Sequence, residues 1–341
     1  MPSSSKSAAA SWRRRGAHRS ATTASCTGSD FRGQIDSSRR PPPGIPPSLE
    51  AQDFILYCKA QMLEYEASMA KSIEELQAIA RKIRREIVEM TGAAKSGHPG
   101  GSLSAVEILV ELYFHRLHID PKNPALADRD RFILSKGHAA PVLYAVMAEA
   151  GYDETPADKL NTLRKWGSVY QGHPDRRFIH ALEASTGSLG EGLSLALGMG
   201  IAARLDGRKS RTYVMLGDGE SQEGQVWEAA MAGSFHKLDN IVAIVDYNGI
   251  QLDGFVKDIM DVAPLAEKWR AFGWHTIEID GHDPRAIQAA FDEAEATKGK
   301  PTCVVAHTVK GKGVSFMENN PKFHGTAPTA EEVKLALQEL A

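Results

Sequence analysis

Cysteine is scarce: Cys26, Cys58 and Cys303 are the only three among 341 residues and stand far apart. That spacing excludes a disulfide framework and a paired-cysteine zinc site. It makes a reducing, intracellular compartment the default and the cytoplasm the expected location. No stretch approaches the roughly 18 to 20 apolar residues that a bilayer-spanning helix needs, so no membrane partner is expected. An excess of one charge is also missing. Lys and Arg number 40 against 43 Asp and Glu, and the first 50 residues hold 8 basic and 3 acidic side chains, which leaves a net −8 after position 50. A mildly acidic body argues against electrostatic capture of nucleic acid. What is present, 42% hydrophobic and 24% charged residues, is the composition of a soluble globule long enough for one large domain or two ordinary ones.

Residues 1–50 read as a separate object. Ser, Ala, Arg and Pro dominate, with Arg13-Arg14-Arg15 and Arg39-Arg40-Pro41-Pro42-Pro43, and too few apolar residues are available to fold, so disorder is expected. Two origins stand open. One is an organellar transit segment, which would imply import. The other is translation from a start codon upstream of the true one, with Met62 or Met69 as internal candidates. The apolar core of a secretory signal is missing.

From about residue 72 helix and strand patterns alternate. Ile73, Leu76, Ile79, Ala80, Ile83, Ile87 and Met90 recur at helical spacing and predict a helix that stops at Gly92. Further helical patterns cover 104–117, 139–150, 191–204, 225–236, 265–272, 285–297 and 331–340. Between them lie apolar or β-rich runs at 131–134, 212–216, 240–245, 275–279 and 302–306. Strands without polar alternation, spaced by helices, predict an α/β fold with a mainly parallel sheet covered on both faces.

In such sheets ligands gather at the carboxyl ends of the strands. There the run at 212–216 leads into Gly217-Asp218-Gly219, and the run at 240–245 leads into Asp246-Tyr247-Asn248-Gly249. If these strands are neighbours, Asp218 and Asn248 can share one cation. A carboxylate, an amide oxygen and a backbone carbonyl suit Mg²⁺ or Ca²⁺. The glycines beside Asp218 would admit a diphosphate. The plain alternative is that both segments are turns, since Asp-Gly and Asn-Gly are common turn formers.

Together the two segments, 27 residues apart, resemble the thiamine-diphosphate signature, in which Asp218 and Asn248 would hold the metal. Tyr247 departs from the commoner Asn at the first position of the downstream pair. The resemblance implies the Ile250 carbonyl as third ligand. Histidines narrow it further. Ser96-Gly97-His98-Pro99-Gly100-Gly101, Ser135-Lys136-Gly137-His138, Gly172-His173-Pro174-Asp175 and Phe323-His324-Gly325, with Thr186-Gly187-Ser188-Leu189 between them, are similar in order and spacing to transketolase. The resemblance runs from Ile73 to Gly325 and implies that residues 51–341 form the diphosphate-binding domain of that family. It implies thiamine diphosphate with Mg²⁺ (or Ca²⁺) as cofactors. Gly219 and His138 would meet the diphosphate, and Gly187 and Leu189 would border the cofactor's aminopyrimidine edge and thiazolium. His98, His173 and His324 would meet the sugar and move protons near neutral pH, with His324 also at the cofactor. Glu223 resembles the carboxylate that couples paired sites; a salt-bridged helix-start glutamate is its other reading.

Only the amino-terminal half of that family is covered. The resemblance therefore implies one subunit of a split transketolase acting on sugar phosphates with a separate C-terminal, pyrimidine-domain subunit, two copies of each per assembly. Rival readings are a component of a 2-oxo acid dehydrogenase, a deoxyxylulose-phosphate synthase, or a noncatalytic homologue. Two features carry less weight. Gly187 to Gly192 is not a nicotinamide-binding glycine pattern, and Lys310-Gly311-Lys312-Gly313, which lacks the phosphate-loop ending, is expected to be a solvated loop leading to His324, with contact between Lys310 and the substrate as its other reading.

Overall fold

The structure is a computed structural model, in which residues 71–341 apart from Asp253 are described. The extension at 1–50, Met62 and Met69 lie outside the described residues. The strands are β1 (Arg131–Leu134), β2 (Thr212–Gly217), β3 (Ile241–Tyr247), β4 (Ile250–Gln251), β5 (Gly254–Phe255), β6 (His275–Asp280) and β7 (Thr302–His307). The helices are α1 (Ile73–Ala94), α2 (Pro99–Leu103), α3 (Val106–Glu111), α4 (Ala140–Ala150), α5 (Glu191–Leu205), α6 (Gly224–Phe235), α7 (Val256–Ile259), α8 (Leu265–Ala271), α9 (Pro284–Ala296) and α10 (Ala330–Glu339).

Five strands form one parallel sheet in the order β1-β2-β3-β7-β6. Unbroken apolar strands make sense here because alternate side chains enter two separate cores. Leu134, Met215, Ile244 and Val304 pack with α1, α3, α4, α9 and α10 on one face. Val214, Leu216, Val245 and Val305 pack with α5, α6 and α8 on the other, where Trp269 is fully buried. The α/β architecture predicted above is thus the one observed. β6 sits at an edge and, among the described residues, is the one strand of the sheet without a buried residue, which matches its mixed sequence His275 to Asp280.

Two local expectations are corrected. α1 opens with a capping box between Ser72 and Glu75 but does not stop at Gly92; it runs to Ala94 and is closed by Lys95 in the left-handed region (φ 51°). Gly92 is there for packing, since a Cβ at that position would lie 2.5 Å from Cγ2 of Val333 on α10. The pattern at 104–117 is not one helix either: α3 ends at Glu111 and a π-helical turn covers Leu112–Arg116. That wider turn places Tyr113 edge-on to Phe132 at 5.8 Å.

Candidate active site

β2 and β3 are neighbours, with Gly217 opposite Asp246, so Asp218 and Asn248 leave adjacent strand ends. Asp218 is buried (2% exposed). Its Oδ1 accepts from the Gly219 amide at 2.7 Å and its Oδ2 from the Gly249 amide. Asn248 Oδ1 accepts from the Ile250 amide at 3.1 Å, which turns the chain into the β4–β5 pair and brings the Ile250 carbonyl round. Asp218, Gly219, Asn248 and Ile250 line one cleft of about 360 Å³ with His138, Gly187, Leu189, Glu223 and His324.

Charge in this cleft favours a cation. Burial, and then the nearby charge of Asp246, push the Asp218 carboxyl up to about 6. A buried carboxylate so strained by desolvation gains most from a positive partner. One is already close: Lys310 Nζ donates to the Ile250 carbonyl at 2.8 Å. Among the described residues no group of three His, Cys, Asp or Glu could hold a metal. The Asp218, Asn248 and Ile250 set is of another kind, with hard oxygen donors and only one carboxylate, and fits a magnesium-like ion that takes its remaining ligands from phosphate or water.

Lys310 overturns an expectation. Its loop is not solvated: the side chain is 2% exposed and lies in the cleft, donating to His324 Nδ1 at 2.9 Å as well as to Ile250. Burial, reinforced by the charge of Lys136, lowers its ammonium to about 8. A second buried pair lies beneath. Asp246, fully buried, meets Lys136, Ser104 Oγ (2.7 Å) and Thr308 Oγ1, and accepts from Asn248 Nδ2 at 3.1 Å. The last bond orients the Asn248 amide so that Oδ1 faces the Ile250 turn. Burial pushes the Asp246 carboxyl up, but Lys136 and the hydroxyl donors bring it below its ordinary value. Neither Lys136 nor Asp246 was singled out by sequence, although a charged residue ending an apolar run such as 240–245 is a readable sign of a buried partner.

All four loop histidines converge. Ring centroids lie 5.3 Å apart for His98 and His138, 5.5 Å for His98 and His324, 5.1 Å for His138 and His324, and 6.5 Å for His98 and His173. Glycine makes this approach possible. A Cβ on Gly100 would lie 2.8 Å from the Phe323 carbonyl, and one on Gly187 (φ 136°) would lie 2.9 Å from the His173 ring. Burial, followed by neighbouring cations, lowers His98 to about 4 and His324 to about 3; His138 falls well below its usual value and His173 is lowered too. The rings are therefore neutral at pH 7 in this cleft and do not titrate near neutrality as expected. An ammonium donating to Nδ1 leaves the His324 proton on Nε2. The exposed Arg164 guanidinium stands at the rim, 2.7 Å from Ser96 Oγ and 3.4 Å from His98 Nδ1.

Residues 75–341 match the family described as the thiamine diphosphate binding domain of transketolase. The chain belongs to the transketolase family. It is 44% identical over 272 residues to the 6-deoxy-6-sulfo-D-fructose transketolase subunit SqwG of Clostridium sp. (strain MSTE9), covering 80% of this chain and 98% of that one. It is 40% identical over 269 residues to an apulose-4-phosphate transketolase subunit of Phocaeicola vulgatus, covering 79% and 95%. Among solved structures, the transketolase of Campylobacter jejuni superposes with a TM-score of 0.75 at 33% identity, over 79% of this chain but only 43% of that one. The chain thus spans about two fifths of that transketolase and nearly the whole of the relatives named as subunits.

Within this transketolase domain two glutamates separate by role. Glu220, absent from the sequence-based candidates, is 3% exposed and accepts from the Gly190 amide (2.8 Å), the Gly217 amide (2.9 Å) and Ser135 Oγ. It ties the loops of Lys136, Leu189 and Asp218 together. Glu223 is exposed at the start of α6, and among the described residues it has no ion-pair partner and makes no capping bond. The reading of Glu223 as a salt-bridged helix-start glutamate is thereby left without its salt bridge. Leu189, on the same cleft, is held through its carbonyl by Gln225 Nε2 at 2.9 Å.

Proposed function

We propose that this chain is the N-terminal, diphosphate-binding subunit of a split transketolase. It would transfer a two-carbon ketol unit from a ketose phosphate to an aldose phosphate with thiamine diphosphate and Mg²⁺, and turn over only with a separate C-terminal subunit. One observation carries this reading: the donor set of Asp218, Asn248 and Ile250 shares a cleft with His138 and His324, against which His98 stands edge-on, with His173 beside His98.

In that reading Asp218, Asn248 and the Ile250 carbonyl hold the divalent ion. Gly219, His138 and Lys310 meet diphosphate oxygens, and Gly187 and Leu189 border the rings of the cofactor. Thiamine diphosphate, when bound, supplies the electron sink that makes a two-carbon carbanion equivalent accessible. The chain's own part is orientation and proton placement. His324, neutral with its proton on Nε2, donates toward the sugar carbonyl oxygen, His98 flanks the same atom, and His173 meets the terminal hydroxyl. Neutral donors polarise a carbonyl without adding a charge to the buried site.

A partner is supported by the family names of the relatives that match end to end and by Leu195, Met231 and Phe235, apolar side chains left exposed on the packed pair α5 and α6. Two copies of each subunit form the assembly we propose, with Glu223 reaching the neighbouring site. The test is reconstitution with a pyrimidine-domain subunit encoded beside this chain. Ketol transfer between sugar phosphates should require both proteins, thiamine diphosphate and Mg²⁺. Turnover by this chain alone, or pyruvate decarboxylation without ketose turnover, would refute the reading.

A further inference from the structure

Lys310 is held from behind by side chains that do not enter the cleft. His282, in the loop after β6, accepts from the Val309 amide at Nε2 (2.8 Å). Its proton must then sit on Nδ1, which donates to Glu107 Oε2 at 3.0 Å. Glu107, on α3, takes two bonds from Arg84 Nη2 at 2.5 and 2.7 Å, and Arg84 Nε, on α1, donates to the Lys312 carbonyl at 3.0 Å. The side chains are 7% (Arg84), 15% (Glu107) and 11% (His282) exposed. Val309 and Lys312 are therefore pinned at the two ends of one turn. The Gly311 amide is tied to the Gly100 carbonyl at 3.0 Å, and only Lys310 is left to project inward. Packing alone would hold a loop with less cost, because an ion pair taken out of water pays desolvation. Hydrogen bonds add what packing lacks, a fixed direction.

We propose that Arg84, Glu107 and His282 form a positioning relay that sets how far Lys310 reaches into the diphosphate end of the cleft. What Lys310 meets there rests on the functional reading above; the relay itself is a property of the chain without ligand.

The test uses the full chain with His282→Leu, His282→Gln, Lys310→Met and the double variant H282L/K310M. Glutamine can offer Oε1 to the Val309 amide; leucine cannot. Hydrogen exchange at 309–312 should speed up about tenfold or more in His282→Leu and recover in His282→Gln, while exchange in α1 stays unchanged, because one buried donor loses its acceptor. Labelling of the Lys310 amine should rise alongside. By calorimetry with inorganic pyrophosphate and Mg²⁺, His282→Leu should bind about tenfold more weakly, and the double variant no more weakly than Lys310→Met, the non-additivity of residues acting through one another. Unchanged exchange at 309–312, or additive affinity losses, would overturn the relay. A wild-type chain that binds no pyrophosphate would sink the functional reading instead, with exchange and labelling still deciding the relay.

Discussion

Replacing Asp218 by Asn should separate stability from ligand binding. The ionised carboxylate is costly in this fold: its pKa rises from 3.8 to about 6 because of burial and the Asp246 charge, and about two units correspond to roughly 3 kcal/mol at pH 8. Asparagine removes that cost and keeps an oxygen for one amide. The other amide, Gly219 or Gly249, would face an NH₂ group, and an unsatisfied buried donor costs about 1–3 kcal/mol. The difference leaves the variant as stable as wild type or more stable by up to about 2 kcal/mol at pH 8. Ligand binding should not survive, because the only charge in the donor set is gone. In thermal denaturation, wild type with thiamine diphosphate and Mg²⁺ at about 100 times Kd gains about 2.7 kcal/mol, or roughly 5–10 °C; the variant should gain almost nothing. The sign with pH is fixed as well. A carboxyl raised in the fold adds stability that is fully present below pH 3.8 and lost as pH rises through about 6. The variant's stability relative to wild type should therefore stay level from pH 8 to about 6 and fall as pH drops from about 6 to about 4, while wild type loses the metal to protons over that lower range. A variant that keeps the full ligand shift would refute the assignment of Asp218.

Gly92→Val should destabilise the chain by about 1–3 kcal/mol in urea denaturation through overpacking against Val333; an unchanged midpoint would contradict the close-packing account. Glu223→Gln should leave stability and cofactor affinity of this chain unchanged, since Glu223 is exposed and unpaired among the described residues, and lower turnover only in the reconstituted enzyme. Equal turnover of the variant would dismiss its coupling role. His98→Asn should lower kcat about 10²-fold or more with little effect on thiamine diphosphate affinity, the scale of a lost proton-placing group. NMR titration of wild type should show no His98 or His324 protonation above about pH 5, given values near 4 and 3; titration near pH 6.5 would contradict the neutral-ring description.

The sheet was legible because its strands other than β6 are largely apolar runs, and all five runs begin and end within a residue or two of the observed limits. The candidate metal-binding end was legible for a related reason: the turn-forming glycines that would let a diphosphate approach also mark the strand ends. What stayed hidden depended on contacts distant in sequence. Lys310 looks like a solvent residue between glycines, and only the Ile250 turn, 60 positions earlier, reveals its partner. Gly92 reads as a helix stop because nothing local announces Val333. Asp246 and Glu220 were overlooked as the tails of louder motifs, although each is a buried carboxylate whose donors come from separate loops. The histidine loops pointed to the rings that come together, but not to their protonation, which is set by burial and by cations that sequence does not place.

The most direct measurement is a crystal structure of this chain with thiamine diphosphate and Ca²⁺, the ion located by its anomalous signal. It should lie about 2.3–2.6 Å from an Asp218 carboxylate oxygen, Asn248 Oδ1 and the Ile250 carbonyl, with Lys310 shifted off that carbonyl onto the diphosphate. An ion bound elsewhere, or Lys310 still on Ile250 with the cofactor present, would contradict the account.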